Sequence, residues 1–211
     1  MLKLSLSHFG VSYSGIPAIV DLSVELTSAT LAAVSGVLGA GKSSLLRAIQ
    51  GRVRHSGEMN IMDGDKVCND VTIASPIERH MLKAETSVYQ FVLLGLLQKS
   101  WTRPVYAEDR IIGALARCNL LDKKDLPISA LTPSEMRLAE LAQLFVQNPK
   151  IILIDQPDVQ MNLISPDYLK CLSSWVKEYG TIALVAVAGA VDSKHFDQVI
   201  PLSNGHLQAA A

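Results

Sequence analysis

The chain has 211 residues, 49 % of them hydrophobic, and its 19 basic and 20 acidic side chains leave a formal net charge of -1; the mean hydropathy is +0.26. That length supports one domain with a sizeable core, the near-neutral balance offers no basic surface to nucleic acid or an anionic membrane, and no stretch approaches the roughly 18 apolar residues of a membrane helix. The three cysteines, Cys68, Cys118 and Cys171, are odd in number and far apart, so they supply neither metal spacing nor a disulfide framework and suit a reducing compartment.

Residues 2 to 8 alternate apolar and polar, as residues 18 to 26 largely do, and both read as half-exposed strands. The start at Met1-Leu2-Lys3-Leu4-Ser5-Leu6 alternates like a strand and is too short and too interrupted for a secretory signal. Leu31 to Ser35 is a short buried strand running into a glycine-rich loop. Ser43 to Gln50 then reads as a helix ended by Gly51. Gly57 to Asp70 is a strand and turn, with Asp63-Gly64 as the turn signal. Residues 86 to 99, 107 to 121 and 133 to 147 have helical spacing, and Asn148-Pro149 ends the last of these. Ile151 to Asp155 is an apolar strand closed by an acid. A helix over 166 to 179, a strand over Thr181 to Val187 and a last strand over Gln198 to Leu202 follow, before the turn at Asn204-Gly205. Ile182 to Val191, the longest uncharged apolar run, suits a strand buried on both faces. Early antiparallel strands followed by strands alternating with helices predict an α/β fold of one domain over 1–211. Its parallel core sheet carries an antiparallel β subdomain and a helical subdomain over about 77–147.

The loop Gly36-x-x-x-x-Gly41-Lys42-Ser43 matches the phosphate-binding P-loop. Glycines let the backbone turn tightly and aim N–H groups at phosphate oxygens, and the following helix adds its positive N-terminal end. Lys42 places a point charge on the outer phosphates, and Ser43 offers a hydroxyl to Mg²⁺. Gly36, Val37, Leu38, Gly39, Ala40, Gly41, Lys42, Ser43 and Ser44 are therefore the candidate nucleotide-binding set. A second acid on the Mg²⁺ side is needed at the end of a neighbouring strand, and Asp155 closes Ile151-Ile152-Leu153-Ile154 in that position. The expected ligand is ATP with Mg²⁺, held by Ser43 and Asp155.

With these elements placed, the order of motifs resembles the ATP-binding subunit of ABC transporters over nearly the whole chain. Tyr13 falls where that family carries an aromatic that stacks on adenine. Residues 131 to 157 resemble its signature helix running into the Walker B strand, and Phe196 to Gly205 its closing strand. The stretch from Val92 to Leu131, with Trp101-Thr102-Arg103-Pro104 and Asp109, resembles most the subunits serving manganese, zinc or iron importers. The resemblance implies a homo- or heterodimer with another ABC ATPase subunit, a transmembrane permease partner docking near residues 75 to 105, no nucleic acid, and a cytoplasmic place at the inner face of the membrane. The motif order speaks against an unrelated P-loop enzyme such as a small-molecule kinase.

The sequence departs from this family at the positions that handle the γ-phosphate. The glutamate that polarises the attacking water is replaced by Gln156. An amide orients a water but does not take its proton, so general-base help of about 10²–10⁴-fold is absent. Val187 or Ala188 stands where the family has a histidine, and Ser75 or Pro76 where it has the glutamine that couples the site to the permease. The signature Leu-Ser-Gly-Gly-Gln reads Leu131-Thr132-Pro133-Ser134-Glu135. Pro133 removes a backbone N–H, and Thr-Pro-Ser-Glu spells a capping box with Thr132 at the N-cap and Glu135 three residues on. Family sites are composite, one chain giving the P-loop and the other the signature. This chain thus impairs both sites of any dimer it joins, and slow or absent hydrolysis is expected. His195 comes about eight residues too late to be the missing histidine and reads as a surface residue.

Overall fold

The computed structural model describes residues 1–68, 70–77, 83–97, 106–155, 165–189 and 191–208. The chain divides into two compact units: residues 1–73, 150–163 and 173–211 form the first, residues 74–149 and 164–172 the second.

In the first unit, strands β1 (Leu2–Tyr13), β2 (Ile16–Thr27), β4 (Ser56–Asp63) and β5 (Lys66–Val67) form an antiparallel sheet ordered β2-β1-β4-β5. The alternation at the start of β1 buries Leu2, Leu4 and Leu6 on one face. His8 then takes a φ of 49° and the pairing register with β2 shifts between Leu6 and Phe9. This bulge interrupts the period of two, so the strand runs five residues past the alternating segment. Asp21, opposite in β2, also has a φ of 49°, and its carboxylate lies 2.6 Å from the His8 Nδ1.

The second sheet is ordered β10-β9-β3-β8-β7-β6, with β3 spanning Thr30–Gly36, β6 Ile73–Ala74, β7 Ile151–Asp155, β8 Ile182–Ala188, β9 Gln198–Ser203 and β10 His206–Leu207. Its pairs β3–β8, β3–β9 and β7–β8 are parallel, and β9–β10 is an antiparallel hairpin. Ile151 to Ile154 and Ile182 to Val187 are buried throughout, the signature of strands covered on both faces. Burying each large aliphatic side chain here contributes about 1.5–3 kcal/mol. Helix α1 (Lys42–Ile49) follows β3 and buries Leu45, Leu46, Ala48 and Ile49 in the same core. The short β6 escapes periodicity analysis because two residues carry no period. The α/β class, the parallel core sheet and the antiparallel β sheet agree with the sequence reading.

The second unit is helical. Helices α2 (Val88–Leu97), α3 (Ala107–Arg117) and α4 (Pro133–Phe145) pack on one another. α2 is predominantly apolar and buries Val88, Phe91, Val92, Gly95 and Leu96. It approaches α4 at Gly95, where a Cβ would stand 2.2 Å from the Gln143 carbonyl oxygen. Gln143, fully buried, donates from Nε2 to the Phe91 carbonyl at 2.8 Å and accepts the Ile77 N–H at 3.3 Å. Helix α5 (Pro166–Tyr179) has the bounds expected of it; its residues through Leu172 belong to this unit, and the rest to the first. Cys118 and Cys171, 53 positions apart, bring their sulfurs within 3.7 Å of each other as free thiols. Spacing in sequence hid a proximity that α3 and α5 create.

Candidate functional site

The loop after β3 is built by backbone crowding. A Cβ on Gly36 would stand 2.4 Å from the Leu202 carbonyl oxygen, and one on Gly41 would stand 2.3 Å from that of Ala18. Gly41 also has a φ of 99°, a conformation that costs a residue with a side chain about 1–2 kcal/mol. The turn Asn204-Gly205 braces the loop from outside: Gly205 N–H donates to the Ala40 carbonyl at 3.2 Å, and Val20 N–H to the Gly205 carbonyl at 2.8 Å. Val37 and Leu38 are exposed and Ala40 is buried, while Gly39 takes a φ of 81° at the exposed tip.

The helix that follows starts without a side-chain cap. Gly41 is the N-cap of α1, and no acidic residue lies in the first turn. The first N–H groups of a helix lack intrahelical partners and concentrate positive potential, so this end is open to an anion. Lys42 is only 3 % exposed. Its ammonium donates to the carbonyls of Gly36 at 2.6 Å and Val37 at 2.8 Å, which keeps the charge over the loop. Ser43 and Asp155, far apart in sequence, meet: the Ser43 hydroxyl donates to the Asp155 carboxylate at 2.9 Å. A hydroxyl and a carboxylate are the hard oxygen donors that Mg²⁺ takes alongside phosphate oxygens, so the residues present fit that ion. Ser44 is half-buried in the same helical turn. Tyr13 ends β1 beside the Ser14-Gly15 turn and is 41 % exposed, on the hairpin whose second strand closely approaches Gly41 at Ala18.

Parallel register sets Ala188 beside Gly36 and Val187 beside Ser35, and Gly189 N–H donates to the Gly36 carbonyl at 3.1 Å. The end of β8 thus lies against the loop. Ser75 and Pro76 are half-buried, and the adjoining Ile77 N–H is held by Gln143. That glutamine was missed because helical spacing gives no sign that it reaches back 66 positions. Gln156, like Trp101 to Pro104, lies outside the described residues.

The start of α4 has the opposite character to that of α1. Thr132 is the N-cap, its hydroxyl accepts the Glu135 N–H at 3.3 Å, and Glu135 Oε2 accepts the Thr132 N–H at 2.9 Å. The capping box is complete, with Pro133 at the first helical position. Lys123 adds what the motif did not predict, a charged hydrogen bond to the other Glu135 oxygen. Lys123 foremost, and then Thr132, hold the Glu135 carboxyl at a pKa of about 2, below its usual 4.5.

Comparison with known proteins matches this arrangement to a family. Residues 19–159 fit the family model described as ABC transporter. The chain is 29 % identical over 211 residues to a phosphonates import ATP-binding protein of Thiobacillus denitrificans, covering 92 % of this chain and 81 % of that one. Among solved structures, a nucleotide-free ATP-binding cassette from an ABC transporter superposes with a TM-score of 0.79 at 18 % identity, covering 99 % of this chain and 90 % of the other. A bacterial ABC transporter cassette solved as a dimer gives 0.76 at 18 % identity, over 98 % and 97 %. The fold is that of these P-loop NTPase cassettes, and with a family match across more than half of its length the chain belongs to the ABC transporter family as an ATP-binding domain.

Proposed function

We propose that this chain is the ATP-binding subunit of an ABC transporter complex, binding Mg-ATP at residues 36–44 with Asp155 while hydrolysing it weakly or not at all. The observation that carries this reading is the contrast between two helix starts, one left open behind the phosphate loop and one closed by Thr132, Glu135 and Lys123. Ala188 beside Gly36 and Gln156 in the sequence support it further. Tyr13 serves as the base platform. The chain acts as a dimer with a second ABC ATPase subunit, peripheral to the inner face of a membrane and docked on a permease. The resemblance of the stretch 92–131 to subunits of manganese, zinc or iron importers supports a metal-ion cargo, and an adjacent permease gene of that class is the check. A steady-state ATPase assay with Lys42→Ala as control tests the catalytic claim. Tight ATP binding with turnover far below one per second is expected, and turnover of several per second that vanishes in the control would overturn it.

The closed start of α4 also favours a second reading, a regulatory or scaffolding pseudo-ATPase with no motor role. Gln156→Glu separates the two. Restoring a general base raises turnover by about 10²–10⁴-fold if the machinery is otherwise intact, and leaves it unchanged in a pure binding module.

A further inference from the structure

We propose that Cys118 and Cys171 form an oxidant-responsive dithiol that closes into a reversible intramolecular disulfide within the helical unit. Cys118 caps the C-terminus of α3 and is 1 % exposed. Cys171 sits on α5, half-buried, with its sulfur 3.7 Å from that of Cys118 and 3.7 Å from the Arg117 carbonyl oxygen. A disulfide has a sulfur–sulfur length of about 2.05 Å, so closure asks the two sulfurs to approach by roughly 1.6 Å. Both cysteines lie in one compact unit.

The two thiols are unequal. The hydrogen bond between them raises the pKa of Cys118, and burial raises it further; the same hydrogen bond lowers that of Cys171. The more reachable sulfur is therefore the better thiolate, the division of labour between an attacking and a resolving cysteine. With a hydroperoxide as oxidant, the Cys171 thiolate attacks the terminal peroxide oxygen, the S–O bond forms as the O–O bond breaks, Cys171 becomes a sulfenic acid, and the departing alkoxide or hydroxide takes a proton from water to leave as an alcohol or water. The Cys118 sulfur then attacks the Cys171 sulfur, its proton leaves with the departing hydroxide as water, and the S–S bond forms. The dithiol loses two electrons and the peroxide gains them. The bond would tie the end of α3 to α5 around a loop that contains α4, the helix whose first turn carries the capping box.

The test uses the full purified chain, treated with hydrogen peroxide under native conditions and then alkylated. Two of its three thiols should disappear, and non-reducing peptide mapping should join the Cys118 and Cys171 peptides, leaving Cys68 alkylated. Dithiothreitol should restore all three thiols. Because cross-linking a loop of this length constrains the unfolded chain, Tm of the oxidised form should exceed that of the reduced form by roughly 5–10 °C. Cys118→Ser should remove both the linked peptide and the Tm shift, while Cys171 still forms a trappable sulfenic acid. Three thiols persisting after oxidation, separate over-oxidation of Cys118 and Cys171 in the unsubstituted chain, or a link that involves Cys68 would each overturn the proposal. The thiol count needs no variant and decides the matter even if a substitution unfolds the chain.

Discussion

Helices α1 and α4 begin in ways that can be set side by side. Each begins at a helix N-terminus whose first backbone N–H groups lack intrahelical partners. α1 opens with a left-handed glycine, no side-chain cap and no acid in its first turn; α4 opens with a threonine cap, a proline and a glutamate engaged from two directions. The orphan N–H groups of a helix end must find partners. One helix leaves them for an incoming anion, and the other uses its own residues. A binding surface and a stability device are thus alternative uses of the same backbone groups.

The comparison can be broken most forcefully at the open end. Gly41→Ala combines a positive φ with a Cβ 2.3 Å from the Ala18 carbonyl oxygen and should cost about 3 kcal/mol, read as a lower urea midpoint. Lys42→Ala should leave folding intact and weaken ATP binding by about 10- to 100-fold, the range of a charge-assisted hydrogen bond, measured by calorimetric titration. At the closed end, Thr132→Ala should cost about 1 kcal/mol and lower Tm by roughly 2–4 °C. The smallest effect sharpens the contrast through pH. Because folding depresses the Glu135 pKa to about 2 from 4.5, its contribution is complete above 4.5 and lost as pH falls toward 2. The stability gap between the parent chain and Glu135→Gln should therefore narrow across that window. A gap that stays constant would mean that Lys123 does not hold the carboxylate.

Much of this was legible in the residues because it depends on local chemistry. Ile151 to Asp155 had to be a strand, since four consecutive aliphatic residues ending in an acid satisfy a doubly covered sheet and its polar edge. Thr132-Pro133-Ser134-Glu135 announced a helix start because a capping box spans only one turn. The bulge at His8 was not legible: alternation stops there, and only the pairing with neighbouring strands β2 and β4 shows that the strand continues. Lys123 finding Glu135, Gln143 reaching Ile77 and Cys118 meeting Cys171 depend on three-dimensional packing, which no local period records. Ser43 meeting Asp155 is an intermediate case, foreseen because the chemistry of a metal-bound phosphate demands two oxygen donors, whatever their separation.

Lys42 also determines what kind of event nucleotide arrival would be. Its ammonium already sits on two carbonyls of its own loop, so the proposed ligand displaces an existing set of bonds instead of adding to a vacant charge. The affinity a titration reads is then a difference, the new phosphate bonds set against the two carbonyl bonds given up.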